Sequence, residues 1–233
     1  MLEMEQLRGS SLPERTLVLT FDDGPGETTA PGPGPRTLPL AEYLAAEGIS
    51  ATFFQCGKHL AELPWVPESL RALGHTIANH SYSHPKLTEI AVEQVVVELE
   101  TAHGRLGQPP GQATFFRAPY GAITPAISRV VNAQLPQAED YVGPIHWDID
   151  AEDWSFWQRG LSAQACADAF LAETERVGRG IILMHDSTAD LPDVKAANQT
   201  FAMIQLLVPE LKARGYRFVP LEAVPDIASR LAS

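Results

Sequence analysis

The stretch Leu17-Val18-Leu19-Thr20-Phe21-Asp22-Asp23-Gly24-Pro25 passes from apolar to acidic to turn-forming within nine residues. Its first half reads as a buried strand. Two adjacent carboxylates at the end of such a strand repel each other and resist burial. A fold keeps them there chiefly where a cation or a proton resolves the conflict. Gly24 and Pro25 then stop the strand and turn the chain. One carboxylate therefore reads as a metal ligand and its neighbour as a general base. Aspartate is also common in turns for local reasons, so the pair needs partners elsewhere in the chain to carry chemistry.

Outward from this stretch, apolar runs alternate with helical patterns. Strands are expected at residues 16–21, 49–54, 75–78, 114–116, 145–149, 181–184 and 216–219. Between them, Leu40, Tyr43 and Leu44 form a short apolar face before Gly48. Val92, Val95, Val96, Leu99 and Leu106 recur at helical spacing up to Gly107. Thr124-Pro125 reads as an N-cap with proline at the first helical position, and Ser162 as the cap of a helix carrying Cys166, Ala169 and Phe170. Phe201, Ile204, Leu207, Val208 and Leu211 line a further helix in which Pro209 is expected to kink or break the rod. Seven strand–helix units imply a parallel sheet with helices outside, as a barrel or a barrel with one gap; an open doubly wound sheet is the alternative. Residues 29–39 and 132–143 read as loops, the first bordering the active site.

The bulk numbers agree with a compact enzyme-sized chain. It has 233 residues, 45% of them hydrophobic and 20% charged, which can bury a full core. No apolar stretch reaches the roughly 18 residues of a membrane span. The net charge of −12 disfavours a nucleic-acid partner, which needs a basic face, and disfavours anchoring to anionic lipid. The two cysteines, Cys56 and Cys166, are expected to be free thiols. The polar N-terminus lacks a signal-peptide pattern. That leaves either a cytoplasmic protein or an extracytoplasmic one whose leader is missing from this chain. Residues 1–15 are expected to be an N-terminal tail or a cloning remnant, and residues 16–233 a single domain.

The polar residues fall in a pattern. Asp22 and Asp23 follow the first expected strand, His80 and His84 the third, Arg117 the fourth, Asp150 and Asp153 the fifth, His185 and Asp186 the sixth. In a parallel barrel these C-terminal ends share one face, where catalytic groups collect. Two imidazoles four residues apart can reach one cation, with Asp23 as third ligand. Two histidines and a carboxylate are a common zinc set with an open position for water, and the same set suits ferrous iron. Arg117 can hold a catalytic aspartate ionised. Pro119 and Gly121 shape a turn able to aim the Tyr120 N–H inward as an oxyanion donor. The stretch from Trp147 to Trp154 offers a carboxylate to fix a histidine, and Trp154 a flat face for a sugar ring. His185, on the same rim, is a candidate general acid.

These residues carry a resemblance. The sequence is similar to the polysaccharide deacetylase family, the NodB-homology or carbohydrate esterase family 4 enzymes. Five motifs match in order: Thr20-Phe21-Asp22-Asp23-Gly24-Pro25, His80-Ser81-Tyr82-Ser83-His84, Arg117-Ala118-Pro119-Tyr120-Gly121, the run from Asp150 to Trp154, and Leu183-Met184-His185. The resemblance implies a distorted (β/α)7 barrel and metal-dependent hydrolysis of acetyl groups, N-acetyl ahead of O-acetyl, on chitooligosaccharide, peptidoglycan or a similar glycan. It implies Asp23, His80 and His84 as metal ligands, the metal being zinc, with cobalt, nickel or manganese as alternatives. Asp22 would be general base, His185 general acid, Arg117 the partner of Asp22, and Asp153 the partner of His185 or Arg117. Leu183 would line the pocket for the acetyl methyl; Trp154, Pro119 and Tyr120 would border the substrate. A monomer acting on an acetylated glycan is expected. The alternatives are an amidohydrolase for a small non-sugar amide and a carbohydrate-binding barrel without catalysis.

Overall fold

The computed structural model describes residues 1–109 and 111–232. Among them are eight strands: β1 Leu2–Leu7, β2 Thr16–Gly24, β3 Thr52–Gln55, β4 Thr76–Asn79, β5 Thr114–Phe115, β6 Tyr141–Ile145, β7 Gly180–His185 and β8 Arg217–Phe218. Ten helices alternate with them: α1 Thr37–Ala46, α2 Gly57–Glu62, α3 Val66–Ala72, α4 Val92–Leu106, α5 Pro125–Gln134, α6 Asp153–Gln158, α7 Ala163–Val177, α8 Pro192–Ala197, α9 Thr200–Ala213 and α10 Pro225–Leu231. None of the described helices is long and apolar enough to cross a membrane.

All strand pairs are parallel. One sheet runs β4-β3-β2-β7, with β8 beside the start of β2; the other runs β1-β6-β5. Isolated bridges join them, Asn79 to Phe116 at one seam and Ile149 to Ile182 at the other. This is the α/β architecture of a deformed (β/α)7 barrel. β2 is its axis: every one of its residues is buried, as befits a parallel strand covered on both faces. The main core lies between this sheet and α1, α7 and α9, where Phe21 stacks on Phe53 with ring centroids 5.1 Å apart.

Local signals explain most helix ends. Thr124 caps α5 and Ser162 caps α7, each accepting from a backbone N–H three residues on. α4 ends at Gly107 in the left-handed conformation, φ 61°. Pro209 lies inside α9, which continues through it to Ala213. Both cysteines are free and buried.

Three expectations are corrected. The segment set aside as a tail contributes β1, which pairs with β6 and buries Leu2. The strand expected at 145–149 instead runs Tyr141–Ile145, its first three residues inside the stretch read as a loop; of residues 146–149 only Ile149 makes a bridge. The segment 29–39 gives way to α1 at Thr37, and neither it nor 132–143 lines the cleft described next.

Candidate active site

Past the C-terminal ends of β2, β4, β5, β6 and β7 the chain forms a cleft of about 480 Å³. Its walls include Asp22, Asp23, His80, His84, Tyr120, Trp154, Leu183 and His185. The expected constellation thus converges on one site. The register of the sheet does part of this work, since Asp22 on β2 pairs directly with His185 on β7.

Adjacent strand residues ordinarily point to opposite faces. Asp22 and Asp23 both reach the cleft because the β2–β3 register shifts there and Asp23 adopts φ 70°. Their carboxylates then go separate ways. Asp22 Oδ1 accepts from Arg117 Nη1 at 2.7 Å. The same nitrogen donates to Thr20 Oγ1 at 2.8 Å, and the fully buried guanidinium lies 4.2 Å from the Phe54 ring centroid. Burial pulls the guanidinium pKa down, and Asp22 pulls it back up. An unpaired carboxylate here would be strongly destabilising, so the pair stands or falls together.

Asp23 faces the histidines. Its Oδ1 is 3.4 Å from His80 Nε2 and 3.1 Å from His84 Nε2, while Oδ2 accepts from the Ala189 N–H at 2.9 Å. Burial alone would raise the Asp23 pKa; His84 and His80 outweigh it and hold the carboxyl well below its usual range. His80 and His84 sit on a tight loop. Ser81 and His84 take positive φ, Asn79 Oδ1 accepts from the Ser81 N–H, and the Glu98 carboxylate accepts from the N–H groups of Tyr82 and Ser83. His80 Nδ1 lies 2.9 Å from the Arg117 carbonyl, which can only accept. Nδ1 therefore carries a proton, which leaves Nε2, turned toward Asp23, as the nitrogen a metal would use. His84 Nδ1 lies 2.5 Å from Asp190 Oδ2, leaving its Nε2 on the same side.

One ligand atom from each of Asp23, His80 and His84 lies within 4.8 Å of the others, and all three residues are buried. Asp23 Oδ1 is buried without a hydrogen bond satisfying it, and two imidazole nitrogens face it. A carboxylate and two imidazoles in this arrangement fit a divalent cation, which would take each imidazole in its neutral form.

On the opposite wall, His185 Nδ1 meets Asp153 Oδ1 at 2.7 Å, and the His185 N–H donates to Asp153 Oδ2 at 2.8 Å. Asp153 is fully buried at the start of α6, with Thr200 Oγ1 at 3.3 Å from Oδ2. Of the two partners expected for Asp153, it takes His185. Burial lowers the His185 pKa, but Asp153, Asp23 and Asp22 lift it to about 10.

Residues 9–136 match the polysaccharide deacetylase family. The chain belongs to that family. This polysaccharide deacetylase-family chain is 32% identical over 215 residues to a chitooligosaccharide deacetylase of Azorhizobium caulinodans, covering 89% of this chain and 93% of that one. It is 27% identical over 210 residues to the peptidoglycan-N-acetylglucosamine deacetylase PgdA of Listeria monocytogenes, where it spans 38% of the longer protein. Among solved structures it resembles the Bc1960 peptidoglycan N-acetylglucosamine deacetylase, with TM-score 0.72, 25% identity and coverage of 91% and 88% of the two chains. It also resembles a family 4 carbohydrate esterase from Streptomyces lividans, with TM-score 0.61, 29% identity and coverage of 88% and 91%.

The remaining expected residues of this family member divide. Leu183, buried on β7, and the half-buried Trp154 line the cleft. Tyr120 stands on its lip, 59% exposed, with φ 58°. Pro119 is buried in the turn beneath and is not among the cleft-lining residues. Asp186 points away, taking a hydrogen bond from Thr37 Oγ1, and burial followed by Asp23 pushes its pKa up to about 7. Trp147, Thr188, Asp190 and Leu191 also line the cleft, and the sequence reading did not single out the last three.

Proposed function

We propose that this chain is a metal-dependent hydrolase that removes N-acetyl groups from an acetylated oligosaccharide or polysaccharide of the chitooligosaccharide or peptidoglycan kind. The observation that carries the reading is the three-ligand cluster of Asp23, His80 and His84, set in one cleft between an Asp22–Arg117 pair and a His185–Asp153 pair. The named activities of the relatives support the substrate class.

In this reading Asp23, His80 and His84 hold one zinc ion. When bound, the metal polarises the acetyl carbonyl and lowers the pKa of an attacking water. Asp22 takes a proton from that water, and the Arg117 hydrogen bond to Oδ1 keeps Asp22 aimed. The Tyr120 N–H donates to the oxyanion that develops as the water oxygen bonds to the carbonyl carbon. His185, protonated at neutral pH, gives its proton to the nitrogen as the C–N bond breaks, so that acetate and a free amine leave. Asp153 holds His185 in the donating orientation, a role supported by its two contacts with that residue. Leu183 packs against the acetyl methyl and Trp154 flanks the sugar. The chain works as a monomer.

The test is acetate release from N-acetylglucosamine oligomers and from N-acetylated peptidoglycan. Release is expected on at least one of them, to stop after rigorous chelation and to return with zinc or cobalt. Unchanged release from the chelated protein would refute the metal dependence.

A further inference from the structure

We infer that Asp190, in the loop between β7 and α8, is a positioning residue of the metal centre, and that it ties the Tyr120 lip to His84. The inference rests on the Asp23–His80–His84 reading above.

Asp190 Oδ2 takes two contacts at once: His84 Nδ1 at 2.5 Å and the Tyr120 hydroxyl, which donates at 2.6 Å. The Tyr120 ring in turn lies against the His84 ring, with centroids 4.7 Å apart. Asp190 Oδ1 is 3.4 Å from Lys58 Nζ, which also donates to the backbone carbonyls of Ala189 at 3.1 Å and Ser83 at 3.3 Å. One lysine thus clips the Asp190 loop to the His84 loop. The residue before Asp190 completes the arrangement, because the Ala189 N–H holds Asp23 Oδ2. Two consecutive residues therefore grip two of the three metal-facing side chains.

A histidine that binds metal through Nε2 needs its Nδ1–H held, because that contact fixes the tautomer, sets the ring plane and raises the basicity of the ligand nitrogen. The two histidines here are held by different means. His80 leans on a neutral backbone carbonyl and His84 on a carboxylate. Only the second can be removed by a side-chain substitution. That carboxylate is shared with Tyr120, so a group on the substrate-facing lip and a metal ligand depend on one acceptor.

The experiment is zinc competition against a chromophoric chelator, using the full chain as wild type, Asp190→Ala, Asp190→Asn and Tyr120→Phe. Asp190→Ala should weaken zinc binding about 10–100-fold, the usual cost of losing a partner of a ligand histidine. Asp190→Asn, which keeps an acceptor oxygen without the charge, should lose less and should still shift the visible absorption of the cobalt-loaded protein. Tyr120→Phe should leave zinc affinity within about twofold and raise KM. Matching thermal melts of the metal-free proteins establish that folding is intact; if Asp190→Ala fails to fold, Asp190→Asn carries the comparison. Wild-type zinc binding that neither Asp190 variant changes by more than about twofold, with an unmoved cobalt spectrum, would overturn this inference alone. A wild-type chain that binds no zinc would overturn the metal reading, and this inference with it.

Discussion

Asp22 and Asp23 are neighbours in sequence but face different electrostatic problems. Asp22 pairs with a buried arginine, whereas the charged groups facing Asp23 are imidazoles, beside the Ala189 N–H. The first arrangement suits a base held in place by a fixed partner, and the second suits a ligand. Asp22→Asn leaves the buried Arg117 without its charge partner and should melt at a lower temperature, while the folded protein should retain the metal and lose roughly 10²–10⁴ in kcat, the range for a general base. Metal content and single-turnover acetate release check it, and near-wild-type turnover would remove Asp22 from the role. His84 supplies a second prediction. Burial lowers its pKa, but Asp23 and Asp190 raise it to about 9, so in the metal-free chain it is protonated at neutral pH. A metal needs the neutral imidazole. Zinc binding at pH 7 should therefore release protons, and apparent affinity should climb as pH rises toward about 9. Calorimetry in buffers of different ionisation enthalpy measures this; binding with no proton release would contradict it. Asp22, Asp23, His80, Arg117 and His185 were legible because each stands at or just past a strand end, next to an apolar run that makes its polarity conspicuous, whereas Asp153 and Trp154 lie on α6, beyond the end of β6. Asp190 follows Ser187-Thr188-Ala189 in a polar loop, where another aspartate is unremarkable. Its importance comes from contacts with residues 106 and 70 positions away.

The strands were readable where hydrophobic runs were dense. β2, β3 and β7 are buried throughout or nearly so, and their sequences are correspondingly apolar up to the polar tip. β6 was misplaced because Gly143 and Pro144 lie inside it and both normally signal a turn. β1, Leu-Glu-Met-Glu-Gln-Leu, alternates apolar and polar residues but is mixed enough to pass for a tail. It earns its place through pairing: Asn132 on α5 receives the Leu2 N–H at 2.7 Å and returns a hydrogen bond to the Leu2 carbonyl at 2.8 Å. Asn132→Ala strips both partners from the start of β1 and should cost about 1–3 kcal/mol. Urea denaturation measures it. A loss below experimental error would mean that β1 is not held as an integral strand. Asp23, His80 and His84 come from the ends of β2 and β4, neither of which pairs with β1, so their spacing should survive this substitution even as stability falls.

Across the whole molecule, the arrangement works because a parallel barrel brings strand ends far apart in sequence onto one face. Residues 22, 80, 117 and 185 meet for that reason alone, and the barrel reading of the repeated strand–helix units was enough to anticipate it. Periodicity by itself allows a barrel or an open sheet, and the five motifs add the barrel; its seams are bridged only by single residues, at Asn79–Phe116 and Ile149–Ile182. Four carboxylates, Asp22, Asp23, Asp150 and Asp190, line a cleft in a chain of net charge −12. Arg117, Lys58, His84 and His185 face those carboxylates, and the Asp23–His80–His84 cluster is where a cation would add to them. Crystals of the zinc-loaded protein, with anomalous diffraction collected at the zinc edge, test this most directly. The account predicts one strong peak in the cleft, within bonding distance of an Asp23 oxygen and of Nε2 of both His80 and His84. A zinc-loaded crystal with no peak there, or with its zinc bound elsewhere, would contradict it.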